Sequence, residues 1–219
     1  LACWLPPIAA AIAGPMLKWG ATGRLLPTGI GFLDNPLAYA EPAVRVLNGF
    51  DVIVRYAKLL IFPWPLTADY SYNQIPTITD LASPAIWLPT LLIASLAVPF
   101  WRTRFWQRSA FLWVVISGGG LLAFSNVVLV SGTIFAERLL YLPAAGFCLL
   151  VAWSLSTLSS APRVIVAAAW IVVALALTNA QTARWRDDQS LFAHAARVST
   201  NSARSHFGYG LALHEGGDP

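Results

Sequence analysis

The chain has 219 residues, 57% of them hydrophobic and only 11% charged, against about 25% charged residues in a soluble domain. That deficit excludes a disordered segment, a collagen-like repeat, a coiled coil and a secreted disulfide scaffold, and it leaves an all-α, polytopic membrane helical bundle. A net charge of +4 from 14 basic and 10 acidic residues is too sparse for a nucleic-acid surface, so no nucleic-acid partner is expected.

The sequence is already apolar at Leu1, without the charged region that opens a signal peptide. It stops at Gly217-Asp218-Pro219 in what looks like a repeat, and it is read as a fragment of a longer protein. A membrane-spanning helix needs roughly 20 mainly apolar residues. In chain order, spans are predicted near 1–17, 84–101, 109–131, 136–158 and 163–182. The third is loosened by Gly118-Gly119-Gly120, and the last two are joined by the turn Ser159-Ser160-Ala161-Pro162. Residues 1–183 thus form a membrane module, and 184–219 form a linker with the start of a repeat. Ten tryptophans suit a chain that meets membrane–water interfaces repeatedly.

Between the first two spans lies a long loop, 20–85, with an amphipathic stretch at 44–62. That stretch contains Arg45, Asp51, Arg55 and Lys58. Each such charge in the hydrocarbon core would cost about 2.5–3.5 kcal/mol. An interfacial or re-entrant helix avoids most of that and is favoured over a further span, with Asp51 and Arg55 spaced to pair at i and i+4. The loop 101–108 carries Arg102, Arg104 and Arg108 and no acidic residue, which makes it cytoplasmic by the positive-inside rule. Loop 20–85 and the tail from Arg184 are then both placed outside, in a periplasm or lumen.

Two clusters have the residue types for chemistry. From Ser109 to Pro162 the charged residues are Glu137 and Arg138, where an outside loop enters a span. A guanidinium there can grip a lipid phosphate bidentately, with Tyr141 on the same helix face. The plainer reading is a helix start, with Glu137 favoured by the macrodipole and Arg138 snorkelling. The second cluster runs from Pro65 to Pro76 and holds Asp69, Tyr70, Ser71 and Asn73. Carboxylate, hydroxyl and amide groups beside tyrosines suit a sugar, although an ordered loop with Asp69 capping a turn accounts for them as well.

In the tail, 190–198 and 203–215 read as helices, and Asp187-Asp188 as a solvated loop or helix cap. Tyr209, Gly210, Leu213 and Gly217-Asp218 match the first-helix spacing of a tetratricopeptide repeat, in which a small residue admits the paired helix. His194, His206 and His214 are too far apart for a metal site, and none is expected. Cys3 and Cys148 lie far apart in apolar stretches and argue for no disulfide.

Several ordered blocks resemble the transmembrane and tetratricopeptide-repeat proteins, an O-mannosyltransferase-like family. They are Asp34-Asn35-Pro36-Leu37-Ala38, Arg45-Val46-Leu47, Leu66-Thr67-Ala68-Asp69-Tyr70-Ser71 with Ile75-Pro76, and Ser125-Asn126. Gly132 to Pro143 follows, then Gly146-Phe147-Cys148, and Trp185 with Leu191-Phe192 completes the order. The block from Asp34 to Pro76 looks like the family's domain of unknown function.

The resemblance implies a multispanning glycosyltransferase of the endoplasmic reticulum or a bacterial inner membrane. It implies polyprenyl- or dolichyl-phosphate mannose as donor, no other cofactor, and transfer to Ser or Thr of acceptor proteins, which the repeats help to bind. Such enzymes place a carboxylate base in the first outside loop. That base is expected upstream of Leu1, so the fragment alone is expected to be inactive. Arg138, Glu137 and Tyr141, together with Asp69, Tyr70, Ser71 and Asn73, are then the candidates for contacts with lipid phosphate or substrate. The competing class is a non-enzymatic, membrane-anchored repeat scaffold for protein–protein interaction. Few polar residues line the confident spans, which argues against a transporter.

Overall fold

The computed structural model describes residues 29–80, 82–84, 87, 91 and 109–216. The chain divides into two units, 1–30 and 31–219. The predicted span near 1–17 and the basic loop 101–108 lie outside the described residues, as does most of the span near 84–101. All regular structure among the described residues is helical. Six α-helices fall among the described residues: α1 Pro42–Ile61, α2 Ser109–Phe124, α3 Tyr141–Ser156, α4 Ser160–Thr182, α5 Asp188–Val198 and α6 Ala203–Glu215.

Helix α1 opens on Pro42, whose missing N–H falls where the helix would not use it. It ends at the extended Phe62, followed by Pro63 and Pro65. Asn48, Gly49, Val52, Ile53 and Tyr56 are buried, on one helical face, so this side of the amphipathic stretch packs against protein. Asp51 and Arg55 do pair, at 2.7 Å, with Arg55 nearly half exposed; such a pair contributes at most about 1 kcal/mol. The small core consists of Leu37, Val52, Tyr56, Ile75, Ile134 and Phe135. It lies where α1 meets the segments on either side of it and the strip before α3. Tyr56 and Phe135 stack there with centroids 4.2 Å apart.

The apolar run expected to span 109–131 changes course early. Helix α2 ends at Phe124, and the chain turns at Asn126, which adopts φ +65°. Asparagine tolerates that left-handed conformation better than most residues. Asn126 is fully buried, and both polar atoms of its amide are hydrogen-bonded. Its Oδ1 accepts from Asn35 Nδ2 at 2.8 Å and from Ser131 N at 2.9 Å, and its Nδ2 donates to the Ile134 carbonyl at 3.1 Å. Asn35 Nδ2 also donates to the Ser131 carbonyl, and Asn35 Oδ1 caps the short 3₁₀ turn Pro36–Ala38. Residues 125–135 therefore form a polar-anchored strap that returns to the core.

A 3₁₀ turn, Glu137–Leu140, leads into α3, and together they make a 20-residue apolar helix, Glu137–Ser156. The turn adds about 8 Å to the roughly 24 Å of α3, enough to match a bilayer core of about 30 Å. Helix α4 begins at Ser160, inside the predicted turn, because Pro162 is acceptable in a first helical turn. With the following turn it forms a second apolar helix, Ser160–Trp185. Val164, Ile165, Val166 and Trp170, which point to different sides of the helix, are 36–68% exposed, and a helix apolar on every side suits lipid. These two helices are long and apolar enough to cross a membrane, and the chain reads as a membrane protein.

Helices α2 and α3 approach through small residues. A Cβ on Gly146 would stand 2.5 Å from Ser117 Oγ and 2.7 Å from the Trp113 carbonyl, and one on Gly120 would stand 2.9 Å from Pro143 Cγ. Nothing lies within 4 Å of a Cβ on Gly118. The three glycines thus do not act alike: only the last faces α3. Gly146→Ala is expected to destabilise the helix pair by about 1–3 kcal/mol, since backbone must shift. Gly118→Ala is expected to be neutral or to stabilise by up to about 1 kcal/mol. Thermal unfolding of both variants in one detergent is the check.

The tail is a helical hairpin. Asp187 caps α5 in a reciprocal capping box with Ser190, and hydrogen bonds from Ser190 hold its carboxyl below the usual carboxylate range. Ser202 caps α6 by accepting from Ser205 N. The close approach falls at Gly208, where a Cβ would stand 2.5 Å from the Phe192 ring. The expected small residue, Gly210, faces open space, and Gly216 caps α6.

Candidate functional site

The loop after α1 is folded by its own short-range bonds. Asp69 Oδ2 accepts from the Ser71 backbone N–H at 3.0 Å and from the Ser71 hydroxyl, the local turn that Asp favours. The same oxygen accepts from Ser202 Oγ at 2.6 Å, 133 residues away on the tail. Ser199 Oγ donates to the Asp69 carbonyl at 2.8 Å and to Thr67 Oγ1 at 3.3 Å. Backbone bonds continue the seam: Asn73 N–H to the Asn201 carbonyl at 2.9 Å, and Ala203 N–H to the Tyr72 carbonyl at 3.0 Å. His194 Nε2 lies 2.9 Å from the Leu66 carbonyl and 3.1 Å from Arg184 Nη1, and Arg184 covers the Trp64 ring. Loop and hairpin are therefore one bonded body.

The head of the apolar helix closes on the other side of the loop. Glu137 Oε1 accepts from the Thr67 backbone N–H and from Tyr70 OH, both at 2.7 Å. Adjacent residues on a helix face different ways, and Arg138 accordingly points away from that contact. It is exposed and has no hydrogen-bond or ion-pair partner among the described residues. It lines a cavity of about 220 Å³ with Asp69, Tyr70, Ser71, Asp34 and Arg204. Arg204, from α6, pairs with Asp34. Tyr70 sets its ring edge-on to Phe135, with centroids 4.7 Å apart.

The structure thus brings Arg138, Asp69, Tyr70 and Ser71 to one cavity and connects Glu137 to it through Tyr70. It does not bring Tyr141 there: that ring is 87% exposed and does not line the cavity. Asn73 is exposed and meets the tail through its backbone. Sequence reasoning missed Asp34, Thr133, Phe192 and Arg204, which also line the cavity. Asp34 stood in a recognised block, whereas Arg204 had only the signal of a basic residue in an ordinary surface helix. Among the described residues no three His, Cys, Asp or Glu side chains gather as a metal-binding group.

Burial pushes both loop-facing phenols up. Tyr56 rises to about 12, mainly by desolvation. Tyr70 rises further, because the Glu137 carboxylate adds to desolvation. A raised folded value favours the neutral phenol, so the stabilisation is complete below the ordinary tyrosine value of about 10. It is lost as pH climbs through 12. In a spectrophotometric titration, these two of the six tyrosines are expected to ionise last and together with loosening of the loop. Late ionisation is expected to disappear in Tyr56→Phe, Tyr70→Phe.

Residues 31–97 match the family described as Protein O-mannosyl-transferase TMTC, DUF1736, which takes in the loop and α1. A Caenorhabditis elegans protein O-mannosyl-transferase, F38B6.6, is 30% identical over 84% of this chain and 27% of its own length. The mouse protein O-mannosyl-transferase TMTC4 is 29% identical over 92% of the chain and 29% of its own length. Residues 31–97 thus carry the TMTC family's DUF1736 domain. The Drosophila melanogaster member Tmtc3 is 30% identical over 89% of the chain. The chain spans less than a third of the length of these TMTC relatives. No solved structure matches it.

Proposed function

We propose that the protein transfers mannose from a polyprenyl- or dolichyl-phosphate carrier to Ser or Thr hydroxyls of proteins, and that Arg138 receives the carrier's phosphate. The printed names of the relatives, protein O-mannosyl-transferases, support the reaction class. One observation supports the role of Arg138: an exposed guanidinium without a hydrogen-bond or ion-pair partner among the described residues lines a cavity with Asp34, Asp69 and Arg204 at the head of an apolar 20-residue helix. A lipid phosphate reaches that level while its chain stays in the bilayer, and a guanidinium binds phosphate through paired, charge-assisted bonds.

In an inverting transfer, the acceptor oxygen bonds to the anomeric carbon as the bond to the phosphate oxygen breaks. The electron pair passes to the phosphate, where a fixed cation stabilises the growing charge. The acceptor proton needs a base. Asp69 Oδ2 already accepts two side-chain hydroxyls and Asp34 is paired with Arg204, so the base is assigned to a residue outside this cavity. The bonds between loop and hairpin support placing both on one side of the membrane, the lumenal or periplasmic side. Acceptor proteins then reach the cavity along repeats that continue from the hairpin.

The test is dolichyl phosphate binding to the complete protein in lipid nanodiscs. Arg138→Ala is expected to weaken it at least about tenfold, the worth of a charged hydrogen bond. A membrane-anchored scaffold without transfer activity requires no such effect, and unchanged binding discards the phosphate role.

A further inference from the structure

The cavity beside Arg138 has a wall supplied by the tail. Arg204, in the first turn of α6, closes on Asp34, and both line the cavity with Ser71, Thr133 and Phe192. The Arg204 and Asp34 side chains are 52% and 30% exposed. An ion pair that open to water contributes little to holding the tail. The tail is already held by the Ser199 and Ser202 hydroxyls and by two backbone bonds. The pair is therefore spare as a latch.

It has another use. A carboxylate accepts up to four hydrogen bonds and a guanidinium offers five donors, so the two together present acceptors and donors side by side. That is what neighbouring sugar hydroxyls require. Gly31 leaves room for that carboxylate, since a Cβ there would stand 2.8 Å from Asp34 Oδ2. Phe192 supplies a ring for the apolar face of a sugar, and about 220 Å³ suits one sugar unit rather than a chain of them.

We propose that Asp34 and Arg204 recognise the sugar carried by the lipid phosphate, so that the donor site is completed by the tail hairpin. The proposal rests on the reading of Arg138 as the phosphate ligand. It makes the first helices after the membrane module part of the site, not only a tether for acceptors.

The experiment compares dolichyl phosphate with dolichyl-phosphate mannose as probes of the complete protein in nanodiscs. Arg204→Gln and Asp34→Asn are each expected to weaken the mannosylated probe roughly ten- to a hundredfold. Binding of the sugar-free probe is expected to stay unchanged. The double variant Asp34→Arg, Arg204→Asp restores an ion pair with the wrong geometry for the sugar, and it is expected not to rescue binding. Equal weakening of both probes, no weakening of either, or rescue by the double variant overturns the proposal. So does an effect confined to the KM for an acceptor peptide. Arg138→Ala, run alongside, separates the two readings: it must weaken both probes. If it weakens neither, the phosphate role falls by itself, whatever the Arg204 variant does.

Discussion

Arg138→Ala is expected to lower sugar transfer by about two to three orders of magnitude at saturating donor, the effect of deleting one preorganised donor to a developing anion. Membrane insertion and attachment of the tail are expected to stay intact. The guanidinium is exposed and has no protein partner among the described residues, so its removal leaves no buried group unpaired. The stability change should then stay within about 0.5 kcal/mol. Arg138→Lys keeps the charge but loses the planar fork, and it is expected to recover only part of the rate. Initial rates with purified protein, dolichyl-phosphate mannose and an acceptor peptide decide the matter. A fall in kcat as well as kcat/KM marks a contact strengthened in the transition state, whereas a raised KM alone marks ground-state binding. Wild-type turnover by the alanine variant would remove Arg138 from the mechanism.

Long apolar runs and charge placement made much of the fold legible. The helix Pro42–Ile61 is legible from the amphipathic stretch 44–62, with Asp51 and Arg55 at pairing distance. The helices Glu137–Ser156 and Ser160–Trp185 are legible because no charge interrupts them beyond their ends and Arg163. The end of α2 was not legible. Ser125-Asn126 sits within a run of apolar residues, and hydropathy reads straight through it. The turn exists because Asn126 finds Asn35, 91 positions earlier, and no local window contains that partner.

The site divides along the same line. Glu137-Arg138 stood out as a charged pair in an apolar interior, and Asp69-Tyr70-Ser71 as a polar cluster beside a tyrosine. That Tyr70 donates to Glu137, and that Asp69 binds the tail, depends on long-range closure. Arg204 was invisible, because nothing in its neighbourhood distinguishes it from any exposed arginine. The tail looked like a separate domain in sequence and proves to be bonded to the loop. Hydrophobic periodicity reports elements but not which polar surfaces they share.

Glu137 tests whether that closure matters. Its carboxylate accepts from the buried Thr67 N–H and from Tyr70 OH. Glu137→Ala strands both donors. An unsatisfied buried polar group costs about 1–3 kcal/mol, so the variant is expected to lose about 2–4 kcal/mol, allowing for the incomplete burial of Tyr70. The loop should loosen first, since it has few other bonds to the helix head. Tyr70 and Asp69 flank the cavity that Arg138 lines, and transfer is expected to fall with the loop's order. Glu137→Gln keeps an acceptor oxygen for both donors and is expected to cost no more than about 1 kcal/mol while retaining most activity. That pattern makes Glu137 a positioning residue. The opposite pattern, a stable Glu137→Gln variant with turnover as low as alanine's, would show that its negative charge takes part directly. Amide hydrogen exchange over 65–76, measured beside turnover, separates the two: a positioning role requires faster exchange wherever activity is lost.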